Sequence, residues 1–264
     1  MATLFISDLH LDPRRPAIIS LFLDFLERRA RRADALYILG DLFEAWIGDD
    51  DDAELGHTVA GALRALVESG VPTYFLHGNR DFLVGQGFAS ASQVQLLPES
   101  AVIELVGEAV LLLHGDTLCT DDVEYQAFRA QVRDPAWQAG LLARPLAQRR
   151  MLASQLRETS RQATQAKGTE ITDVNPVAVE HALRTHGVDH LIHGHTHRPT
   201  IHQWMLDGRP ARRATRATSR RDSAAPRSCG RGWTVRGSGR GTVGTTRARG
   251  SRSDAVPDAV RAGS

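Results

Sequence analysis

The sequence predicts an α/β fold: a mostly parallel sheet with helices between its strands, a second and partly antiparallel strand layer, and one inserted helical subdomain. Three observations carry that expectation. Apolar runs of strand length alternate with stretches of helical spacing from Leu4 to Leu76, a β-α-β rhythm. Five apolar runs along the chain end in side chains able to hold a metal, and as strands of one core they would bring those ends to a single rim, where α/β folds place their sites. Residues 121–167 show helical spacing alone, so the rhythm stops there and resumes afterwards.

The first run, Leu4-Phe5-Ile6, reads as a short buried strand that gives way to Ser7-Asp8-Leu9-His10. Residues two apart on an extended chain point the same way, so the Asp8 carboxylate and the His10 imidazole can converge on one cation. Pro16 opens a helix with Ile18, Ile19, Phe22, Phe25 and Leu26 on one face, and an arginine run near its end suits the helix dipole. Ala35 to Leu39 is the second strand, and Gly40-Asp41 turns out of it toward Phe43 to Trp46 and an acidic loop, Asp49 to Asp52. Consecutive carboxylates on a loop repel one another, so that loop is expected to be a solvated surface rather than a metal site. A helix from about Leu55 to Glu68 closes at Gly70.

The third strand, Thr73 to Leu76, delivers His77-Gly78-Asn79-Arg80-Asp81. Asn79 offers a cation a neutral carbonyl oxygen, and Gly78 lets backbone pass close by. Closely spaced strands follow from Val94 to Leu113, with Gly107-Glu108 as a hairpin turn, and the last of them runs into His114-Gly115-Asp116. Over 121–167, apolar residues from Tyr125, Phe128 and Val132 through Trp137, Leu141 and Leu142 to Met151, Leu152 and Leu156 fall three or four apart, interrupted by Pro135 and Pro145. The α/β pattern returns with a helix Pro176 to Thr185, a strand Val188 to Ile192, the loop His193-Gly194-His195-Thr196-His197, and a strand Thr200 to Leu206 ending at the hairpin signal Asp207-Gly208. The expected organisation is a core of 1–120 with 168–213, an insert of 121–167, and a tail of 214–264.

At 42% hydrophobic residues the chain can bury a substantial core. Cys119 and Cys229 are too few for a disulfide framework and lie outside zinc spacing, which favours a reducing compartment. No basic leader precedes the first strand and no apolar stretch reaches the roughly 18 residues of a membrane span, so a cytoplasmic protein is expected. The net charge of +1 hides a strong asymmetry. The tail carries 11 Arg against 3 Asp, a net of +8; residues 1–213 are at −7, yet 125–167 within them are at +6. A basic insert on an acidic body is expected to meet something anionic, a phosphorylated ligand or a membrane surface, with a solvated helix face as the alternative.

Beyond Arg213 the composition changes. Residues 214–264 contain no Leu, Ile, Phe or Met, and Arg, Gly, Ser and Thr fill 32 of the 51 positions. Such a stretch cannot bury a core. It resembles a GC-rich coding sequence read out of frame, in keeping with a body that uses arginine almost to the exclusion of lysine. The expectation is a disordered tail, and a hairpin at Asp207-Gly208 that opens without an apolar return strand and leaves a sheet edge uncovered. A nucleic-acid-binding basic tail is the alternative, and no nucleic-acid or protein partner is expected.

Taken in order, D-x-H, G-D, G-N-R-D, H-G-D and G-H-T-H, each at a strand end, resemble the signature of the calcineurin-like metallophosphoesterase superfamily. The resemblance implies two β-sheets packed as a sandwich and flanked by helices, with the insert as a lid. It further implies that Asp8, His10, Asp41 and His197 hold one metal while Asp41, Asn79, His114 and His195 hold the other, Asp41 bridging. Two cations about 3.5–4 Å apart share a water, lower its pKa and neutralise phosphate oxygens, so no amino-acid nucleophile is needed. Oxygen and nitrogen ligands without sulfur suit manganese, iron or zinc, and family precedent points to two Mn2+. His77 and His193 are expected to be structural.

Where many superfamily members carry histidine after Gly-Asn, this chain has Arg80. Arginine cannot give up a proton at neutral pH, so its expected task is to hold phosphate oxygens, which suits diphosphate cleavage. With this motif, the insert and the early Ser-Asp-Leu-His-Leu, residues 1–213 resemble the UDP-2,3-diacylglucosamine diphosphatases of lipid A biosynthesis. That resemblance implies hydrolysis of a lipid-linked nucleotide sugar to UMP and 2,3-diacylglucosamine 1-phosphate at the cytoplasmic face of the inner membrane. It carries substrate contacts onto Asn79, Arg80, Asp122, Ser160, Lys167 and His195, with Thr164 standing where the family has asparagine. Asp41, Asn79, Arg80 and His195 would carry catalysis. Lys167 is the only lysine in the chain, which singles out a compact ammonium at that place. Rival expectations are another dinuclear metallophosphoesterase, such as a dinucleoside polyphosphate hydrolase or a phosphatase, and a scaffold that has lost its metals.

Overall fold

The computed structural model describes residues 2–166 and 173–215, with a two-residue strand at Val235–Arg236. Lys167 and the tail residues 216–234 and 237–264 lie outside the described residues. Strands β1 (Ala2–Ile6), β2 (Ala35–Ile38), β3 (Thr73–Phe75) and β4 (Gln95–Leu96) run parallel in one sheet, and β10 (Val235–Arg236) pairs antiparallel with β1 at its edge. A second, mixed sheet has the order β5 (Ser100–Leu105), β6 (Glu108–Leu113), β7 (His190–His193), β9 (Arg209–Thr215), β8 (Thr200–Leu206).

Alternation along the strands builds the layers. On β1, Leu4 and Ile6 join Leu36, Ile38 and Phe75 under α1 (Pro16–Arg28), α2 (Glu54–Glu68) and α3 (Gln86–Ser92). Phe5 points the other way, with Tyr37 and Tyr74, into a core shared with Ile103, Val110 and Leu112 of the second sheet. Register makes Phe5, Tyr37 and Tyr74 neighbours across three strands, and their rings stack at 5.2 and 4.6 Å. The outer face of the second sheet packs Leu111, Leu113 and Leu191 against Val179 and Leu183 of α7 (Pro176–His186). The result is helices, sheet, sheet, helix, the sandwich expected from the resemblance.

The insert forms α4 (Val123–Arg133), α5 (Pro135–Leu142) and α6 (Leu146–Ala166). Its punctuation is local chemistry. Asp122 and Asp134 cap the first two helices by accepting from the Tyr125 and Trp137 amides, and Pro135 occupies a first-turn position where no N–H is needed.

Two expectations are corrected, and one element is new. The turn between β5 and β6 is Val106-Gly107, with φ of 58° and 81°, one residue earlier than expected. The short helix α3, which was not anticipated, follows the Asn79 loop. The hairpin at Asp207-Gly208 does have a return strand, since β9 runs to Thr215, past the expected tail boundary, antiparallel to β8 and parallel to β7. An apolar return strand was unnecessary because β9 lies between two partners, so its backbone groups are paired on both edges. Only Ala211 and Thr215 of it are fully buried, and Thr215 Oγ1 lies 3.0 Å from His193 Nε2.

Candidate functional site

The loops leaving β1, β2, β3, β6 and β7 meet at one end of the sandwich and bring all seven expected metal ligands together. Asp8, His10 and His197 offer ligand atoms within 4.8 Å of one another, and so do Asp8, Asp41 and His114. The Nε2 atoms of His10 and His197 are 3.3 Å apart. The two Asp41 oxygens look in different directions: Oδ2 lies 3.7 Å from His10 Nε2, and Oδ1 3.7 Å from His114 Nε2. Asn79 Oδ1 sits 3.0 Å from both His114 Nε2 and His195 Nδ1.

Backbone geometry, rather than spacing along strands, produces this convergence. Asp8, His10, Asp41, His195 and His197 all adopt left-handed conformations, with φ between 49° and 68°. Non-glycine residues seldom do so, and a cluster of them marks a functional site. The motif glycines make room: a Cβ on Gly78 would stand 2.2 Å from Asp41 Oδ1, and one on Gly194 2.6 Å from Asp8 Oδ2. Asp81, fully buried, accepts hydrogen bonds from the amides of Gly78 at 2.8 Å, Leu42 at 2.7 Å and Asp41 at 3.2 Å, and so lashes the β2 loop to the β3 loop. The G-N-R-D motif alone assigns Asp81 no role. The Asp8 carboxylate likewise accepts from the His195 amide, joining the first loop to the last.

The expected substrate residues divide. Arg80, Asp122 and Ser160 line a cavity of about 340 Å3 that runs from Asn79 between core and insert, where Phe128, Trp137, Leu141, Leu152 and Leu156 supply apolar walls. The Arg80 guanidinium donates to Ser160 Oγ at 3.3 Å, and its amide donates to Asp41 Oδ1 at 2.8 Å. Thr164 lies on α6, and Lys167 falls outside the described residues. Leu142, grouped with Trp137 and Leu141 by helical spacing, is 40% exposed and does not line the cavity.

Four of the basic groups of the insert are engaged within the protein rather than left to face an anion. Arg129 donates to buried Asp116 at 2.8 Å beside the Tyr125 hydroxyl, and Arg133 donates to the Gly78 carbonyl at 2.9 Å. Arg149 forks onto Asp50 and reaches the Ile47 carbonyl at 2.7 Å, while Arg150 meets Asp51 and Asp52. The acidic loop is therefore the dock of the insert rather than a merely solvated surface. Tyr125, read earlier only as an apolar spacer, stacks on His195 with ring centres 6.0 Å apart.

A calcineurin-like phosphoesterase family model matches residues 1–199. The chain belongs to the calcineurin-like phosphoesterase family. Among its curated relatives, a UDP-2,3-diacylglucosamine hydrolase of Enterobacter sp. (strain 638) is 57% identical over 213 residues, 81% of this chain and 89% of the relative. One of Stenotrophomonas maltophilia (strain R551-3) is 52% identical over 242 residues, 89% and 98% of the two chains. Solved structures that the fold matches include an archaeal phosphodiesterase, 11% identical with a TM-score of 0.40 over 82% of this chain and 84% of that one. Vacuolar protein sorting 29 of Cryptosporidium parvum is 14% identical with a TM-score of 0.39, over 82% and 73%.

Membership in the calcineurin-like phosphoesterases implies a divalent metal, and the electrostatics of the site fit one. Burial lowers the pKa of His114, but Asp41, Asp116 and Asp8 outweigh it and hold the imidazole up at about 9. A group with no access to water is thus drawn to carry positive charge by the carboxylates around it, and a cation satisfies the same demand. Burial pushes Asp8 up to about 6, partly offset by His114, whereas for Asp41 the pull of His114, His10 and Arg80 overcomes burial and holds it at about 2. His195 is pushed down to about 4 by burial and then by His114, so it presents a neutral ring with a lone pair to donate. The His114 Nδ1 contact with the Leu39 carbonyl, 2.8 Å, leaves Nε2 facing the cluster, as a ligating imidazole requires.

Proposed function

We propose that this phosphoesterase hydrolyses UDP-2,3-diacylglucosamine, the substrate in the names of its relatives, to UMP and 2,3-diacylglucosamine 1-phosphate, a step of lipid A biosynthesis. The observation that carries this reading is the cavity. A cluster of oxygen and nitrogen ligands suited to phosphate chemistry opens, through Asn79 and Arg80, into a chamber walled by Phe128, Trp137, Leu141, Leu152 and Leu156. A soluble dinucleotide or a phosphorylated peptide gains little from such walls, whereas each buried acyl methylene contributes about 0.8 kcal/mol.

In this reading Asp8, His10, Asp41 and His197 hold one divalent ion, and Asp41, Asn79, His114 and His195 the other, with Asp41 common to both. Their donor chemistry suits Mn2+. When bound, the metals supply an activated water and neutralise phosphate charge. The protein's own groups orient the substrate. Arg80, held by Ser160, presents a planar fork to the diphosphate oxygens and stabilises the charge that develops on them. Asp122, Ser160, Thr164 and Lys167 complete the contacts to the sugar and its phosphate. The leaving group is itself a phosphate and needs little protonation, so an arginine in place of an acid suffices.

No helix among the described residues is long and apolar enough to cross a membrane. The exposed apolar residues Phe128, Leu142 and Met151 of the insert support a lid that docks on the anionic cytoplasmic face of the inner membrane. The test is UMP release from UDP-2,3-diacylglucosamine, with and without Mn2+ after chelation. Metal-dependent release is expected, and its absence would refute the assignment.

A further inference from the structure

Beside the lid chamber lies a second cavity of about 360 Å3, on the other flank of the segment Glu44-Ala45-Trp46-Ile47. The loop after β1 and the start of α2 form one side of it, and Ala153 and Arg157 of α6 are shared with the lid chamber. Leu11 and Asp12 follow directly on His10, and Phe43 stands two residues beyond Asp41. Glu44 of its lining lies 3.4 Å from His10 Nδ1, so the second cavity reaches the metal-ligand cluster through one side chain, where the lid chamber is lined by Asn79 itself. Charged side chains line both cavities, but the second lacks the Phe82, Phe128, Trp137, Leu141, Leu152 and Leu156 walls of the lid chamber, and three of its charged residues, Asp12, Arg14 and Arg157, cluster at one place.

Two of its three cations are committed. Arg14 binds Asp12 through Nε at 3.0 Å and Nη2 at 2.5 Å, and Arg150 binds Asp51 at 2.5 Å. Arg157 is different. Its nearest carboxylate oxygen, Asp12 Oδ2, is 3.7 Å away and already bonded by Arg14, and its buried Nε has no hydrogen-bond partner among the described residues. A buried guanidinium N–H without an acceptor is costly, and a phosphate oxygen is the acceptor that fits its fork. Arg157 also stands one turn before Ser160, to which Arg80 donates, so the two guanidiniums approach one face of α6.

Resting on the proposed reaction, we infer that the second cavity receives the nucleoside monophosphate half of the substrate, and that Arg157, at the seam of the two cavities, binds its phosphate. The diphosphate then crosses the metal-ligand cluster with the acylated sugar in the lid chamber and the nucleotide across the Glu44–Ile47 partition. Trp46, fixed by donation of its indole N–H to Asp49 at 3.0 Å, supplies an apolar face on the nucleotide side.

Product inhibition separates the halves. UMP and the diacylated sugar 1-phosphate are each titrated as inhibitors of the metal-loaded full chain, of Arg157→Gln and of Arg157→Lys. The UMP inhibition constant is expected to rise roughly tenfold in Arg157→Gln, the worth of one hydrogen bond to a charged group, while inhibition by the acylated product shifts less than about twofold. Arg157→Lys should recover part of the loss. An unchanged UMP constant overturns the inference. So does an equal rise for both products, which marks a general disturbance of the site. If the parent chain releases no UMP from the substrate, it is the reaction that fails, and calorimetric titration of UMP into the metal-loaded parent still decides the cavity. Binding that Arg157→Gln weakens upholds the site, and no binding to the parent overturns it.

Discussion

Replacing Gly78 with alanine sets a methyl group 2.2 Å from Asp41 Oδ1 and 2.3 Å from the Asp41 nitrogen. Such contacts open to about 3.0 Å at the least, so the carboxylate must retreat by roughly 0.8 Å or the two loops must part. Neither move is free. Asp81 grips the amides of Gly78, Asp41 and Leu42 together, and the Arg80 amide holds the very oxygen that is struck. A displacement near 1 Å of a catalytic group costs on the order of 100-fold in rate, about 2.7 kcal/mol on the barrier. The expected outcome of Gly78→Ala is a kcat/KM lower by that factor or more, and metal affinity by equilibrium dialysis weaker by roughly 10- to 100-fold. Circular dichroism should show the parent's secondary structure, because the clash is confined to the loops. A variant with full metal content and a kcat/KM within about threefold of the parent would refute the claim that close backbone approach at Gly78 sets the position of Asp41.

Asp41→Ala should abolish both turnover and tight metal binding, and a purified variant with two metals per chain and near-normal rate would refute the proposed bridging role of Asp41. Arg149→Met strips the Ile47 and Arg144 carbonyls and Asp50 of their donor, which should destabilise the dock of the insert by about 2 kcal/mol, read as a lower urea midpoint. Trp137→Ser and Leu141→Ser should weaken the diacylated substrate far more than a deacylated analogue, and equal effects on both would reduce the lid chamber to a structural cover. For pH, His114 has its folded pKa raised from 6.5 to about 9, so its protonated form contributes stability that is complete below the lower value and lost as pH rises through the higher. The thermal midpoint of the chelated protein should fall over that range while the metal-loaded protein, whose cation replaces the proton, stays level.

The strand ends were legible because each couples a local apolar run to a local polar motif, and the order of five motifs is a one-dimensional signal. The conformations that unite them were not. Spacing places Asp8 and His10 on one face of an extended chain, yet both residues are left-handed, and only the opposing loops reveal why. The acidic run Asp49 to Asp52 was judged by the repulsion among its own members, while its answering cations Arg149 and Arg150 lie about a hundred positions away. Asp116 and Asp81 look like ligands by residue type, and their partners show one to be a fastening for α4 and the other a clasp between loops. The return strand β9 escaped notice because arginines dominate it, and a strand paired on both edges depends little on its side chains.

The left-handed residues of the centre carry a further consequence. A non-glycine residue in that conformation costs roughly 1 kcal/mol, somewhat less for aspartate, and five of the seven expected ligands bear it at once. Glycine at any of the five would relax the backbone while deleting a donor. A library of this protein screened only for heat resistance in the presence of chelator should therefore drift toward glycine at His10, His195 and His197, trading away its chemistry one ligand at a time, while Asp8 and Asp41, whose carboxylates hold the His195 and Arg80 amides, stay.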